Sequence, residues 1–122
     1  MSTLDSPSLE VRWDGPRATL LVDGAESSCI DTSDPTYLDF EYMQHATCAL
    51  QATFPSSAPL RVLHLGGAAC ALPWAWSLLF PSSRHTVVEI SPKIASFARE
   101  TFDLPRSPIL KIRIGEARAV ID

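Results

Sequence analysis

Leu60-Arg61-Val62-Leu63-His64-Leu65-Gly66-Gly67-Ala68-Ala69-Cys70-Ala71 is the stretch that decides the fold. Residues 60–65 form a short apolar run of strand length, and the run ends on two glycines. The small residues after them lead into a short apolar helix that reaches Phe80. A strand that ends in glycine and feeds a helix lets a ligand approach the backbone closely, because no Cβ stands in the way. Of the G-x-G-x-x-G form the stretch keeps Gly66, with Ala68 and Ala71 at the other two places. A tight strand-to-helix turn that holds no ligand fits the same residues.

Downstream, Pro81-Ser82-Ser83 is a joint, and residues 86–90 read as a second strand with Glu89 near its end. Ser91-Pro92 is a helix start: serine caps the free N–H groups, and proline fits where its missing N–H has no partner. Ile94, Phe97, Ala98 and Phe102 then repeat at helical spacing. Residues 109–114 alternate apolar and basic side chains and read as a third strand, followed by Gly115-Glu116-Ala117. Strand, helix, strand, helix, strand is the βαβαβ pattern of one mononucleotide-binding half of a Rossmann-like α/β fold.

Upstream, Pro55-Ser56-Ser57-Ala58-Pro59 is a linker. Before it, Asp34-Pro35 carries the same cap-then-proline signature, and Leu38, Tyr42, Ala46, Ala49, Leu50 and Thr53 follow at helical spacing with Met43 beside them. The expectation is a long helix that starts at Asp34 and ends by Pro55. Residues 18–22 read as a strand, Asp23-Gly24 as a tight turn and residues 27–30 as the returning strand. Residues 1–10 read as a loose end. The expected division is a small N-terminal β-hairpin element over 1–33 and the first half of a Rossmann-like domain over 34–122.

Composition narrows the partners. The 122 residues carry a net charge of −4 with no cluster of Lys or Arg, which argues against nucleic acid. Cys29, Cys48 and Cys70 are scattered and odd in number, with no C-x-x-C pair, so neither zinc nor a disulfide framework is expected, and a reducing cytoplasm suits them. The first residues lack the basic and apolar regions of a signal peptide. The longest apolar stretch, residues 68–80, contains Pro73 and is too short to cross a membrane.

Glu89 falls roughly 20 residues after the glycine turn, where such folds place an acid for ribose hydroxyls. A solvated strand-end glutamate is the plainer reading. Glu116, just past the third strand, could accept from an adenine amino group or could simply favour a helix N-terminus. His45, His64 and His85 lack the spacing of a triad or metal site, and His64 reads as a satisfied buried histidine. Trp74 and Trp76 read as core, and Arg84, Lys93, Arg99 and Arg106 as solvated.

Leu63-His64-Leu65-Gly66-Gly67, Val87-Val88-Glu89-Ile90-Ser91-Pro92 and Gly115-Glu116-Ala117-Arg118 resemble, in order, the V-L-x-x-G-G-G-D-G, V-E-I-D and G-D-A motifs of spermidine synthases. Leu21-Val22-Asp23-Gly24-Ala25-Glu26-Ser27 resembles that family's L-D-G-x-x-Q-S hairpin, and residues 34–42, Asp-Pro-Thr-Tyr-Leu-Asp-Phe-Glu-Tyr, its D-E-x-x-Y-H-E helix start. The resemblance runs from about residue 18 to 119 and implies the S-adenosylmethionine-dependent methyltransferase fold. It implies that Gly66, Gly67 and Ala68 shape the cofactor turn. Glu89 and Ile90 would sit at the ribose of S-adenosylmethionine or its decarboxylated form, and Glu116 and Ala117 at the adenine. Glu26, Asp34 and Tyr42 would lie at the mouth of the site, near a small-molecule amine substrate or the cofactor tail. The implied reaction transfers an aminopropyl group to that amine, without a metal. The amine must be neutral to attack, so a carboxylate has to take its proton. Family members commonly pair as homodimers through the N-terminal β element.

The departures are specific. Ala68-Ala69 stands for the third glycine and the aspartate of G-G-G-D-G, Glu26 for glutamine, and Ser91 and Glu116 for aspartates. The fourth strand expected beside residues 60–65, and the amine-activating acid after it, are not encoded in these residues. The expectation is therefore a fragment, or a chain whose apolar edge a partner covers. An ordinary small-molecule methyltransferase and a non-catalytic remnant are the rival readings.

Overall fold

Two turns that need left-handed backbone start the first sheet. Gly15 (φ 58°) opens one, and Asp23 (φ 51°) with Gly24 (φ 83°) forms the other. Two successive positive φ values twist a two-residue hairpin the way its strands twist, which is why Asp-Gly is favoured there. The computed structural model describes residues 8–66 and 70–116. In chain order these form β1 (Leu9–Asp14), β2 (Arg17–Val22), β3 (Ala25–Asp31), α1 (Glu41–Thr53), β4 (Arg61–Leu65), α2 (Ala71–Leu79), β5 (Arg84–Glu89), α3 (Pro92–Thr101) and β6 (Leu110–Ile114).

The first sheet is an antiparallel meander, β1-β2-β3, with an irregularity at Leu20/Leu21. It has one strand more than the expected hairpin. β1 begins inside the stretch 1–10 that read as a loose end and runs past it, and its cues were present: Leu9, Val11 and Trp13 alternate, and Asp14-Gly15 ends the run. The second sheet is parallel, order β4-β5-β6. That is the expected βαβαβ half, with α2 and α3 as the crossovers. A single cluster of buried side chains joins the sheets, from Leu20 and Ile30 to Trp74, Val87 and Leu110. Phe102 touches both sides, its ring 6.4 Å from that of Trp13 and 6.3 Å from that of Trp74.

The long helix begins later than expected. Asp34-Pro35 forms a turn and not a helix start, and α1 begins at Glu41 behind Phe40, which gives no side-chain cap. The carboxylate of Asp34 accepts from the N–H (3.2 Å) and hydroxyl (2.5 Å) of Thr36. Asp31 takes the N–H of both Ser33 (2.9 Å) and Asp34 (3.2 Å). Aspartates that bond the backbone two residues on hold turns against helix, and here two of them do so in succession. Tyr37 is pinned by the Arg17 guanidinium, 4.4 Å above its ring. Helix α3 follows the expectation: Ser91 accepts from the Ile94 N–H at 3.2 Å, with Pro92 at the first position.

Strand β4 pairs with β5 and, among the described residues, with nothing on its other side. Leu63 and Leu65 are 47% and 53% exposed there, which gives this strand an apolar edge. Their face of the sheet opens on a groove lined with Arg61, Arg84, Lys111 and Arg113. No helix among the described residues is long and apolar enough to cross a membrane.

Candidate functional site

The parallel strands point their C-terminal ends at one place, the position where open α/β sheets bind ligands. Gly66 leaves β4 with φ 75°, and its N–H bonds the carbonyl of Val88 at 2.8 Å. A Cβ on Gly66 would meet nothing within 4 Å, so the glycine is needed for backbone conformation and not for space. Glu89 ends β5 beside it. Glu89 is 7% exposed, and its Oε2 accepts from the Ser91 N–H at 2.9 Å. Its Oε1 has no partner among the described residues. The Glu89 carbonyl accepts from Gly115 N–H at 3.0 Å, which brings the end of β6 to the same rim.

A cavity of about 430 Å³ opens at this rim. Gly66, Glu89 and Tyr42 line it, as do Ser28 and His64, which sequence reasoning did not place there. Val22, Met43, Leu72 and Ile94 supply its apolar wall. Ser28 is 2% exposed, and its Oγ is a buried polar atom without a hydrogen-bond partner. Such atoms are rare in native proteins, and an absent ligand or water is a usual reason for one. The available signal was a pair of serines inside a strand with no turn to justify them.

His64 reaches the cavity from β4. Its Nε2 lies 3.0 Å from Nδ1 of His85, whose Nε2 lies 2.7 Å from the Ser83 hydroxyl. His64 is thus satisfied on one side, as the sequence suggested, while also lining the cavity. Burial holds both imidazoles down to about 4 from the ordinary 6.5; the neighbouring ring lowers His64 further. Both are neutral at physiological pH.

Cys70 stands where the spermidine synthase motif has its last glycine, and it pays for that place with φ 67° and ψ 33° as the residue preceding α2. Burial pushes its thiol up to about 12. It is structural, without the thiolate that a reactive cysteine needs.

The other expected positions spread out. Glu26 is exposed and pairs with Arg12 at 3.4 Å across the first sheet; it does not line the cavity. Asp34 is committed to its turn and does not line it either. Tyr42 does, although 62% exposed. Ile90 is 67% exposed and Glu116 is exposed, both at strand ends and outside the lining. Gly67, Ala68 and Ala117 lie outside the described residues. Arg99, expected to be solvated, is half-buried and donates to the carbonyls of Pro105 (2.6 Å) and Leu110 (2.8 Å). Among the described residues no group of His, Cys, Asp and Glu could hold a metal ion.

No known family model matches the sequence, and no curated protein matches it. Solved structures do. A probable spermidine synthase from Corynebacterium glutamicum is 36% identical over 95% of this chain, with a TM-score of 0.84. The spermidine synthase of Thermotoga maritima is 19% identical over 96% of this chain, TM-score 0.64. Human methyltransferase-like protein 13, solved in complex with SAH, is 24% identical over 67% of this chain, TM-score 0.61. The last two show the fold alone. The chain spans 44% of the corynebacterial protein's length and 40% of the Thermotoga protein's. With the motif order, the β4-β5-β6 half-sheet and the match to the corynebacterial structure agreeing, the chain belongs to the spermidine synthase-like family, on the fold that this family shares with S-adenosylmethionine-dependent methyltransferases.

Proposed function

We propose that this chain is the nucleoside-binding part of a spermidine synthase-like transferase, which takes S-adenosylmethionine or its decarboxylated form and passes an aminopropyl group to an amine. The observation that carries the reading is the pairing of Gly66 and Glu89. The two lie side by side at the ends of neighbouring parallel strands, on the rim of one cavity. Gly66 leaves the backbone bare for a ligand, and the second carboxylate oxygen of Glu89 can accept from a ribose hydroxyl. Solved relatives support the ligand class: one spermidine synthase is described in complex with the transition-state analogue AdoDATO, and the human methyltransferase-like protein with SAH. Among the described residues Glu89 is the acid that lines the cavity, and the reading assigns it to the ribose. Three free cysteines suit a reducing compartment.

Calorimetry with methylthioadenosine, S-adenosylmethionine and decarboxylated S-adenosylmethionine tests the reading. Binding of methylthioadenosine that Glu89→Gln weakens by about tenfold is the expected result. Equal affinity of Glu89→Gln and the parent chain removes the ribose role. Preference for S-adenosylmethionine over its decarboxylated form would favour methyl transfer. Failure of all three to bind refutes the reading.

A further inference from the structure

The cavity's lining offers several hydrogen-bond acceptors, and the hydrogen bonds behind it set one of them. The Ser83 hydroxyl is 2.5 Å from the Phe80 carbonyl, which can only accept, so the serine proton points there. Ser83 Oγ must then accept from His85 Nε2–H. His85 Nδ1 is left with its lone pair and accepts from His64 Nε2–H. A backbone carbonyl thus fixes the tautomers of both rings, and His64 is left with an unprotonated Nδ1. Among the described residues nothing bonds that atom, and His64 lines the cavity.

Three acceptors therefore belong to one cavity: His64 Nδ1, the unpartnered Ser28 Oγ and Glu89 Oε1. Among the described residues no Lys or Arg lines it. Val22, Met43, Leu72 and Ile94 give the same space an apolar wall that suits methylene groups. A side group with several donors, no acceptor and a short alkyl stem is what this arrangement fits. We infer that His64 and Ser28 form an acceptor subsite for the primary ammonium end of an alkylamine. The inference rests on the function proposed above and adds to it the residues that hold the amine. His64, which gains a proton only near pH 4, holds the ammonium by accepting a hydrogen bond and does not deprotonate it. It is a binding residue and not the base.

The ammonium could come from the amine substrate or from the aminopropyl tail of the decarboxylated cofactor. Imidazole nitrogen resonances of the uniformly 15N-labelled chain distinguish these at fixed pH. The probes are 1,4-diaminobutane, decarboxylated S-adenosylmethionine, and methylthioadenosine as the control without an ammonium. The free chain should show both rings protonated at Nε2. The ammonium probes should move the Nδ1 resonance of His64, and methylthioadenosine should not. Ser28→Ala, a small change in a strand, should weaken the effective probe by about tenfold and leave methylthioadenosine unaffected. A response to the diamine alone or to the cofactor alone names the source. Methylthioadenosine binding with His64 unmoved by saturating ammonium overturns the subsite and spares the nucleoside reading. A moved His64 without methylthioadenosine binding does the reverse. Silence from all three probes overturns both.

Discussion

His64 and His85 share one proton across 3.0 Å, on adjacent parallel strands, and each ring is neutral because burial leaves no room for its charge. In the unfolded chain both return to the ordinary value of 6.5, so between that value and about 4 the unfolded state binds more protons than the folded one. Stability is fully present above pH 6.5 and is lost as the pH falls toward 4, at up to roughly 1.4 kcal/mol per pH unit for each ring. Urea midpoints should fall between pH 7 and pH 5, and His85→Phe should flatten that slope. A midpoint unchanged over this range would contradict the buried neutral pair. At lower pH Asp31 adds a loss of the same sign, since the Ser33 hydroxyl bond holds its carboxyl below the usual range.

Cys70 makes two separable predictions. With its thiol pushed up to about 12 and buried, it should resist iodoacetamide in the native chain, as should buried Cys29, while exposed Cys48 reacts. Mass spectrometry of the labelled peptides decides this, and rapid native labelling at Cys70 would contradict the buried assignment. The second concerns strain. Cys70 holds φ 67°, which β-branched residues tolerate poorly, so Cys70→Val should lower stability by about 1–2 kcal/mol beyond Cys70→Ala.

The half-sheet was legible in the sequence because each of its parts is local. Residues 60–65, 86–90 and 109–114 are short apolar or alternating runs, and Ser91-Pro92 is a complete cap. The start of α1 was not legible, because Asp34-Pro35 spells a helix start and a turn equally well. What settled it was the side-chain bonds of Asp31 and Asp34 and the stacking of Tyr37 on Arg17, a residue 20 positions away in a different element. The site divided the same way. Gly66 and Glu89 follow from strand-end logic. Ser28 and His64 reach the cavity only because the first sheet packs against the second; the serine pair marks polar positions in a strand but does not say what they face.

Arg99 shows how a side chain that reads as solvated can hold a fold together. From α3 its guanidinium donates to Pro105 and Leu110 carbonyls, clamping the connection into β6. Arg99→Met keeps the alkyl stem but removes both charge-assisted bonds, and stability should fall by about 2–4 kcal/mol. Arg99→Lys should recover less than half of that loss, because an ammonium cannot span two carbonyls in the guanidinium's fixed fork. Denaturation of the two variants checks the order, and a Met variant as stable as the parent would reduce Arg99 to a surface residue.

The exposed edge of β4 sets how this chain behaves in solution. Leu63 and Leu65 stand half out of the surface on a strand whose second edge is unpaired among the described residues. Unpaired N–H and C=O groups beside exposed leucines are a template for another strand. The 122-residue chain should therefore self-associate as its concentration rises. Leu65→Lys should suppress this, since a charge on an edge strand disfavours pairing with a second copy. Sedimentation velocity over a concentration series measures it. The Lys variant should also leave the Gly66 turn intact, because the backbone N–H of Gly66 is held by Val88 and not by any side chain of β4. A parent chain that stays monomeric at high concentration would contradict an open edge at β4.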